Sequence, residues 1–151
     1  MKKIITLVLV LSTFLLLLAG CGGGAPKDLK DGTYTAIASD AKAEEAHGWK
    51  DKLTINVTNG EVTILEFESF STEDNRKKSE DTEYPMTEAD NGTQPSIFFP
   101  KLIENWGAAE GDPSKIEAVA GATQSSDSLK ELMTAALKAA QSGDTSEVVV
   151  E

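Results

Sequence analysis

The pattern that most restricts the fold lies between residues 52 and 70. Leu53, Ile55 and Val57 alternate with polar residues, and Asn59-Gly60 then supplies the two-residue turn that favours a β-hairpin. β-Branched residues are frequent on both sides of the turn, as is typical of strands. The sequence therefore predicts two antiparallel strands, at about 52–58 and 61–70.

The second strand of this hairpin breaks the alternation at one point. With a two-residue turn, Val57 is expected to pair with Val62 and Ile55 with Ile64. Leu65 then starts a second apolar series on the opposite face of the strand. We expect either a β-bulge near Ile64 and Leu65 or a strand that is covered on both faces.

The remaining segments predict one more strand and several helices. Asp31-Gly32 is a turn signal before a strand at about 33–38, and a short helix or a loop follows at 41–47. The segment 71–80 is charge-dense and is expected to be a solvated loop. A helix is expected at 95–106, with Pro100 in its first turn and Ile97, Leu102 and Ile103 among its buried residues.

The clearest helix is predicted at about 124–141. Apolar residues recur there at the spacing of one buried face: Leu129, Leu132, Met133, Ala136, Leu137 and Ala140. Ser125 or Ser126 is expected to cap its start and Gly143 to mark its end, with 144–151 as a frayed or weakly docked tail. The sequence therefore predicts an α+β domain at 31–143, in which a small antiparallel sheet is packed by helices.

The first twenty residues have the form of a secretory signal. Lys2 and Lys3 precede an apolar run that is shorter than the ~20 residues a membrane-spanning helix usually needs. Cys21 follows Leu-Ala-Gly, which resembles the bacterial lipobox and implies cleavage before Cys21 and its lipidation; the alternative is a plain signal peptide with a chance cysteine. We expect residues 21–30 to be a flexible tether and the domain to be lipid-anchored on the extracytoplasmic side of the membrane.

Composition and charge exclude several kinds of function. Cys21 is the only cysteine and His47 the only histidine, so neither a disulfide framework nor a thiolate metal cluster is expected, and no metal site is predicted. The formal net charge is −11, and it becomes −13 when the signal and its two lysines are removed. So acidic a surface disfavours nucleic acid as a partner.

The candidate functional site is the segment 116–130. Ala120, Gly121 and Ala122 lead to Thr123 and then to polar residues at the start of the last predicted helix. Backbone N–H groups lack partners at a helix start and the helix dipole favours negative charge, so this position suits a phosphate group. Taken alone, the same residues are also an ordinary way to begin a helix.

Together these features resemble the small FMN-binding domain of bacterial flavoprotein lipoproteins and of subunits of sodium-pumping and Rnf-type oxidoreductases. The matching segments, in chain order, are DGTY at 31–34, the hairpin at 49–70, KKSEDTEY at 77–84 and VAGATQSS at 119–126. The resemblance extends from residue 31 to about residue 143. Among the members of that family, single-domain lipoproteins implicated in extracellular electron transfer look most similar.

In that family, FMN is attached through its phosphate to the last threonine of Asp-x-x-Ser/Thr-Gly-Ala-Thr by a separate flavin transferase. The resemblance implies that Thr123 is the acceptor here. The cofactor-binding residues that it implies around Thr123 are Gly121, Ala122, Gln124, Ser125 and Trp49. The chain departs from the motif at Glu117, which replaces the aspartate, and at Ala120, which replaces the hydroxyl residue.

A flavin ring needs an apolar or aromatic wall, for which Trp49, Trp106, Phe98 and Phe99 are the candidates, although each can equally be a core residue. The resemblance implies an electron carrier rather than an enzyme, with a donor and an acceptor that the sequence does not identify. Two alternatives stay open. One is a non-redox lipoprotein that binds a small molecule or a protein, and the other is a flavin reductase module.

Overall fold

The structure is a computed structural model that describes residues 28–151. The predicted signal at 1–20, the anchor at Cys21 and most of the tether at 21–30 lie outside the described residues. A four-stranded sheet in the order β3-β2-β1-β4 forms the centre of the domain. Within residues 28–151, none of the helices is long and apolar enough to cross a membrane.

The domain is an α+β fold, as predicted, in which the hairpin is followed by a run of helices. The strands are β1 (Gly32–Ala38), β2 (Trp49–Thr58), β3 (Glu61–Ser71) and β4 (Val148–Val150). The helices are α1 (Asp40–Glu45), α2 (Glu88–Asn91), α3 (Pro95–Ala108) and α4 (Thr123–Ser142). Two short 3-10 helices lie at Lys78–Glu80 and Pro113–Lys115.

The hairpin of β2 and β3 has the predicted turn and the predicted pairs. The register shifts between Thr54, which pairs with Glu66, and Ile55, which pairs with Ile64, so Leu65 is an extra residue. Its side chain is 59% exposed. The bulge at Leu65 returns the following residues of β3 to the buried face of the sheet, which explains the break in the alternation.

The sheet is mixed rather than antiparallel, because β4 pairs with β1 in parallel. The tail at 144–151, predicted to be frayed or weakly docked, therefore does not fray but pairs with the sheet through Val148–Val150. Three consecutive valines are strong strand formers, and β1 offers them an otherwise unpaired edge. Leu29, from the predicted tether, also packs against the core, so the domain extends beyond 31–143 at both ends.

Helix α4 covers the buried face of β1 and β2. All six of its predicted core residues are buried, and Gly143 ends it in a left-handed conformation, as predicted. The helix starts within one residue of the prediction, but the prediction that Ser125 or Ser126 caps it is wrong. The helix begins at Thr123 with Ala122 at the capping position, which places Ser125 and Ser126 inside the first turn.

Helix α3 begins at Pro95, where the missing N–H costs nothing. Pro100 is therefore the sixth helical residue and not part of the first turn, and its side chain is exposed. Leu102 is fully buried, whereas Ile97 is 39% exposed, so the prediction that Ile97 is buried is wrong. Phe98 and Phe99 supply the buried surface of this turn instead.

Candidate functional site

A cleft of about 470 Å³ lies at the N-terminal end of α4. Its walls come from α1, the start of β2, the 3-10 helix Lys78–Glu80, α3 and the segment that leads into α4. A volume of this size is within the range of small-molecule sites in proteins. The cleft brings together parts of the chain that are up to about ninety residues apart in sequence.

The loop before α4 is packed closely against the segment 86–93. Gly121 has a φ of +83°, and a Cβ atom on it would lie 2.9 Å from the carbonyl oxygen of Asn91 and 3.1 Å from Cγ2 of Thr93. A side chain at this position would be strained both by the backbone conformation and by the contact. Glycine here is what allows the backbone to approach Asn91 and turn into the helix.

Two further side chains fix the same loop. Ser126 is fully buried, and its hydroxyl donates to the carbonyl oxygen of Ala122 at 2.7 Å and accepts from the N–H of Val119 at 3.1 Å. The side-chain amide of Asn105 donates to the carbonyl oxygen of Glu117 at 2.7 Å. The loop that presents Thr123 is therefore held at three points, by packing at Gly121 and by these two polar residues.

The start of α4 has the properties of an anion site. No side chain caps it among the described residues, and its first turn contains no acidic residue. Thr123 and Gln124 are exposed at this end, on the rim of the cleft. The N–H groups of the first turn and the positive end of the dipole are available to a negatively charged group there.

The opposite wall of the cleft carries a buried cation. Lys78 is only 8% exposed, and its ammonium forms neither an ion pair nor a hydrogen bond within residues 28–151. It lies 5.2 Å from the ring centre of Trp49 and 5.3 Å from that of Tyr84, and the two rings meet edge to face at 5.8 Å. Burial lowers the pKa of Lys78, an effect opposed by the negative charges of Asp51 and Glu68.

The other charges that line the cleft are already engaged or lie at its rim. Lys42 pairs with Glu131 at 2.6 Å, and Asp51 accepts a hydrogen bond from the hydroxyl of Ser69. Glu45 and Asp127 complete a rim that is more acidic than basic. Within the described part of the chain, no three histidine, cysteine or carboxylate side chains gather into a group that could hold a metal ion.

The structure brings all the sequence-predicted site residues to this one cleft: Thr123, Gly121, Ala122, Gln124, Ser125 and Trp49. Of the other aromatic candidates, Phe98 also lines it. Trp106 lies elsewhere, where its indole N–H donates to the carbonyl oxygen of Val62 at 3.2 Å. Phe99 packs edge to face on Phe67 at 5.3 Å.

Sequence reasoning missed the roles of Lys78 and Tyr84 in this cleft. The prediction of a solvated loop at 71–80 is wrong at Lys78, which is buried beneath the rings of Trp49 and Tyr84. Both residues lie in the KKSEDTEY segment at 77–84, which is one of the segments that carry the family resemblance. Whether Lys77 or Lys78 is buried depends on how the segment packs against Trp49 and Tyr84. A charge-dense sequence does not reveal that packing.

A scan against models of known protein families finds no match for this chain. The chain is similar to the 15 kDa lipoprotein of Treponema pallidum (strain Nichols), with 29% identity over 122 residues that cover 80% of this chain and 83% of the relative. The name of that relative agrees with the lipid anchor predicted at Cys21.

The fold is also that of a solved structure, the crystal structure of the CPE2226 protein from Clostridium perfringens. The two superpose with a TM-score of 0.69 and share 32% sequence identity, over 81% of this chain and 97% of the clostridial protein. Identity at that level over nearly all of the solved chain shows common descent. The chain therefore belongs to the same protein family as CPE2226.

Proposed function

We propose that this chain is a lipid-anchored extracytoplasmic flavoprotein that carries FMN covalently on Thr123 and transfers electrons. One observation carries the proposal: an exposed threonine stands at the uncapped start of a 20-residue helix, on the rim of a cleft with aromatic walls. A plain helix start does not require such a cleft or a loop fixed at three points.

The phosphate end of the cofactor fits the start of α4. A phosphodiester on Thr123 keeps one negative charge, which the N–H groups and dipole of the helix start stabilise. Without a ligand, the capping position is held by Ala122, which offers no side-chain acceptor for those N–H groups. The residues that would hold the phosphate are therefore Thr123, Gln124 and the backbone of the first turn.

The ring end of the cofactor fits the deeper part of the cleft. Trp49, Tyr84, Met86 and Phe98 give it an apolar and aromatic lining, which suits a flat conjugated ring. Lys78 supplies a cation among them without a carboxylate partner in the described residues. Aromatic side chains together with a cation suit a flat conjugated ring with polar edges better than they suit an aliphatic ligand.

The charge of the rim gives a reason for a covalent bond. Glu45, Asp51, Asp127 and Glu131 face only two ammonium groups, those of Lys42 and Lys78. This net negative rim offsets part of the attraction that the helix start gives to a phosphate, so electrostatics alone would hold a free flavin phosphate only weakly. Attachment to Thr123 keeps the cofactor in place regardless of the surrounding charge.

Helix α4 separates the site from the anchor. The backbone N–H of Lys30 donates to the carbonyl oxygen of Ala140 at 3.0 Å, and its ammonium donates to that of Ser142 at 2.7 Å. The tether therefore reaches the domain at the C-terminal end of α4, whereas Thr123 is at its N-terminal end. A helix of 20 residues is about 30 Å long, so the site is turned away from the anchored end and towards soluble or surface-bound partners.

The flavin, when bound, supplies the electron transfer, and the residues of this chain position it, shield it and set its electrostatic environment. Trp49 and Phe98 exclude water from one side of the ring site, and Lys78 places a positive charge beside it. The donor and acceptor are separate proteins or molecules. A separate flavin transferase makes the phosphoester bond.

The proposal is tested by producing the mature protein together with a flavin transferase and its FAD substrate. The wild-type protein should give a yellow, fluorescent band that survives denaturing electrophoresis, and peptide mass should place the added FMN on Thr123. Thr123→Ala should remove the label entirely. A colourless wild-type band would refute the proposal and favour a non-redox lipoprotein.

A matched control is available on the same helix. Thr134 is exposed, its hydroxyl donates to the carbonyl oxygen of Lys130, and it lies about three turns along α4 from Thr123 without lining the cleft. Thr134→Ala should keep the full label. If Thr123→Ala retained label, or if Thr134→Ala lost it, the acceptor would be another residue.

A further inference from the structure

We propose that Lys78 sets the reduction potential of the flavin, because its ammonium, on the wall of the cleft, favours the reduced, electron-richer state of the ring. This inference rests on the proposed function and assigns a role within the same cleft. Lys78 is a positioning and electrostatic residue, since it neither forms the bond to the cofactor nor carries electrons.

The first support is a largely buried lysine whose ammonium has no charged partner. The residue is 8% exposed, and the ammonium forms no ion pair or hydrogen bond within residues 28–151. A charge held mostly out of water without a carboxylate costs folding free energy that an apolar side chain of similar size would not. Because Lys78 also lines the cleft, its charge is suited to interact with a ligand there.

The second support is the way in which the ammonium is held. The rings of Trp49 and Tyr84 both lie within 5.3 Å of Lys78 Nζ, which fixes the charge against the wall of the cleft. Aromatic faces attract a cation without neutralising it, unlike a carboxylate. The charge therefore remains available to a group that enters the cleft.

The third support is that the neighbouring cations are already paired. Lys42 pairs with Glu131 at 2.6 Å, and Lys77 pairs with Glu66 at 2.9 Å. Arg76 contacts Asp74 at 2.5 Å and Asp81 at 3.3 Å. Among the described cations near the cleft, Lys78 is the one without a carboxylate partner, so its charge is the least cancelled.

The direction of the effect follows from electrostatics. Reduction adds electrons to the ring, and a positive charge in a water-poor site stabilises the added negative charge more strongly than it would in water. Asp51 lines the same cleft and acts in the opposite direction, although the hydrogen bond from Ser69 disperses part of its charge. Asp51 is partly neutralised in this way and Lys78 is not, so the ammonium is expected to dominate and Lys78 should raise the potential.

The test measures midpoint potentials of the flavin-labelled protein, with dithionite as the two-electron reductant and a redox dye as the equilibrating reference. Lys78→Met should lower the midpoint potential by at least about 30 mV, which in a two-electron couple is a tenfold weaker preference for the reduced state. Lys78→Arg should stay close to the wild type, because the charge is kept. Lys78→Gln is the second neutral variant, in case the methionine protein does not fold.

Lys77→Met is the matched control. It removes the same charge from the adjacent residue, whose ammonium pairs with Glu66 and lies outside the cleft. An unchanged potential in both neutral Lys78 variants, or an equal shift in Lys77→Met, would overturn the role of Lys78. A wild-type protein that takes no label would instead refute the proposed function, which separates the two failures.

Discussion

Gly121→Ala tests whether the loop that presents Thr123 is fixed by close packing. Two costs add at this position. The left-handed backbone, with φ at +83°, costs an alanine about 1–2 kcal/mol. The Cβ would lie 2.9 Å from the carbonyl oxygen of Asn91, which is backbone and cannot rotate away, and overpacking of this kind costs about 1–3 kcal/mol. We therefore expect Gly121→Ala to lower the free energy of unfolding by about 2–5 kcal/mol.

Gly60→Ala separates the two costs. Gly60 has nearly the same φ, +78°, but a Cβ there would meet no atom within 4 Å. It should therefore lose only the conformational part, about 1–2 kcal/mol. The difference between the two variants, about 1–3 kcal/mol, is the contribution of the contact with Asn91.

Urea unfolding at constant pH measures both variants. With a slope of about 2 kcal/mol per molar, the midpoint of Gly121→Ala should fall by about 1–2.5 M. Flavin labelling of Gly121→Ala should also fall, because the loop must move away from Asn91, whereas Gly60→Ala should label normally. Equal destabilisation of the two variants would show that the contact at Gly121 does not fix the loop.

Two further predictions concern buried polar groups. Ser126→Ala leaves the N–H of Val119 without its acceptor and should cost about 1–3 kcal/mol in urea unfolding, whereas Ser125→Ala, which breaks no hydrogen bond among the described residues, should cost less. Similar losses would contradict the role given to Ser126. Burial raises the pKa of Glu68 above its usual 4.5, so the folded state binds the proton more tightly. The contribution of Glu68 to the free energy of unfolding is therefore fully present below pH 4.5 and is lost as the pH rises through the folded-state pKa. Over that pH range, the wild type should lose stability relative to Glu68→Gln in urea unfolding. A stability difference between the two proteins that does not change with pH would contradict the prediction.

The sheet and its last helix could be predicted because their signals are local. A two-residue turn fixes the register of the hairpin, and the break at Leu65 already indicated the bulge that the structure contains. The buried face of α4 follows from its spacing alone. Strand β4 was missed, because whether three valines at a chain end pair with the sheet depends on a free edge that the sequence does not show.

The residues that line the cleft could be predicted only in part, because only some of them are identified by a local sequence pattern. Thr123 and its small neighbours form one continuous segment, so the pattern of that segment is enough to single them out. Lys78 joins the site only because the 3-10 helix folds it beneath Trp49, which is 29 positions earlier, and beside Tyr84. No periodicity distinguishes it from Lys77, whose ammonium pairs with Glu66.

The two departures from the flavinylation motif lie where they leave the shape of the loop intact. The side chain of Glu117 is exposed, and the group that fixes this residue is its carbonyl oxygen, which Asn105 binds at 2.7 Å. Ala120 is also exposed, and the hydroxyl that fixes the loop is not at this position but on Ser126. Under the proposed flavinylation, a longer acidic arm or a missing hydroxyl at these positions would change only the surface offered to a transferase, since the backbone that presents Thr123 depends on residues inside the fold.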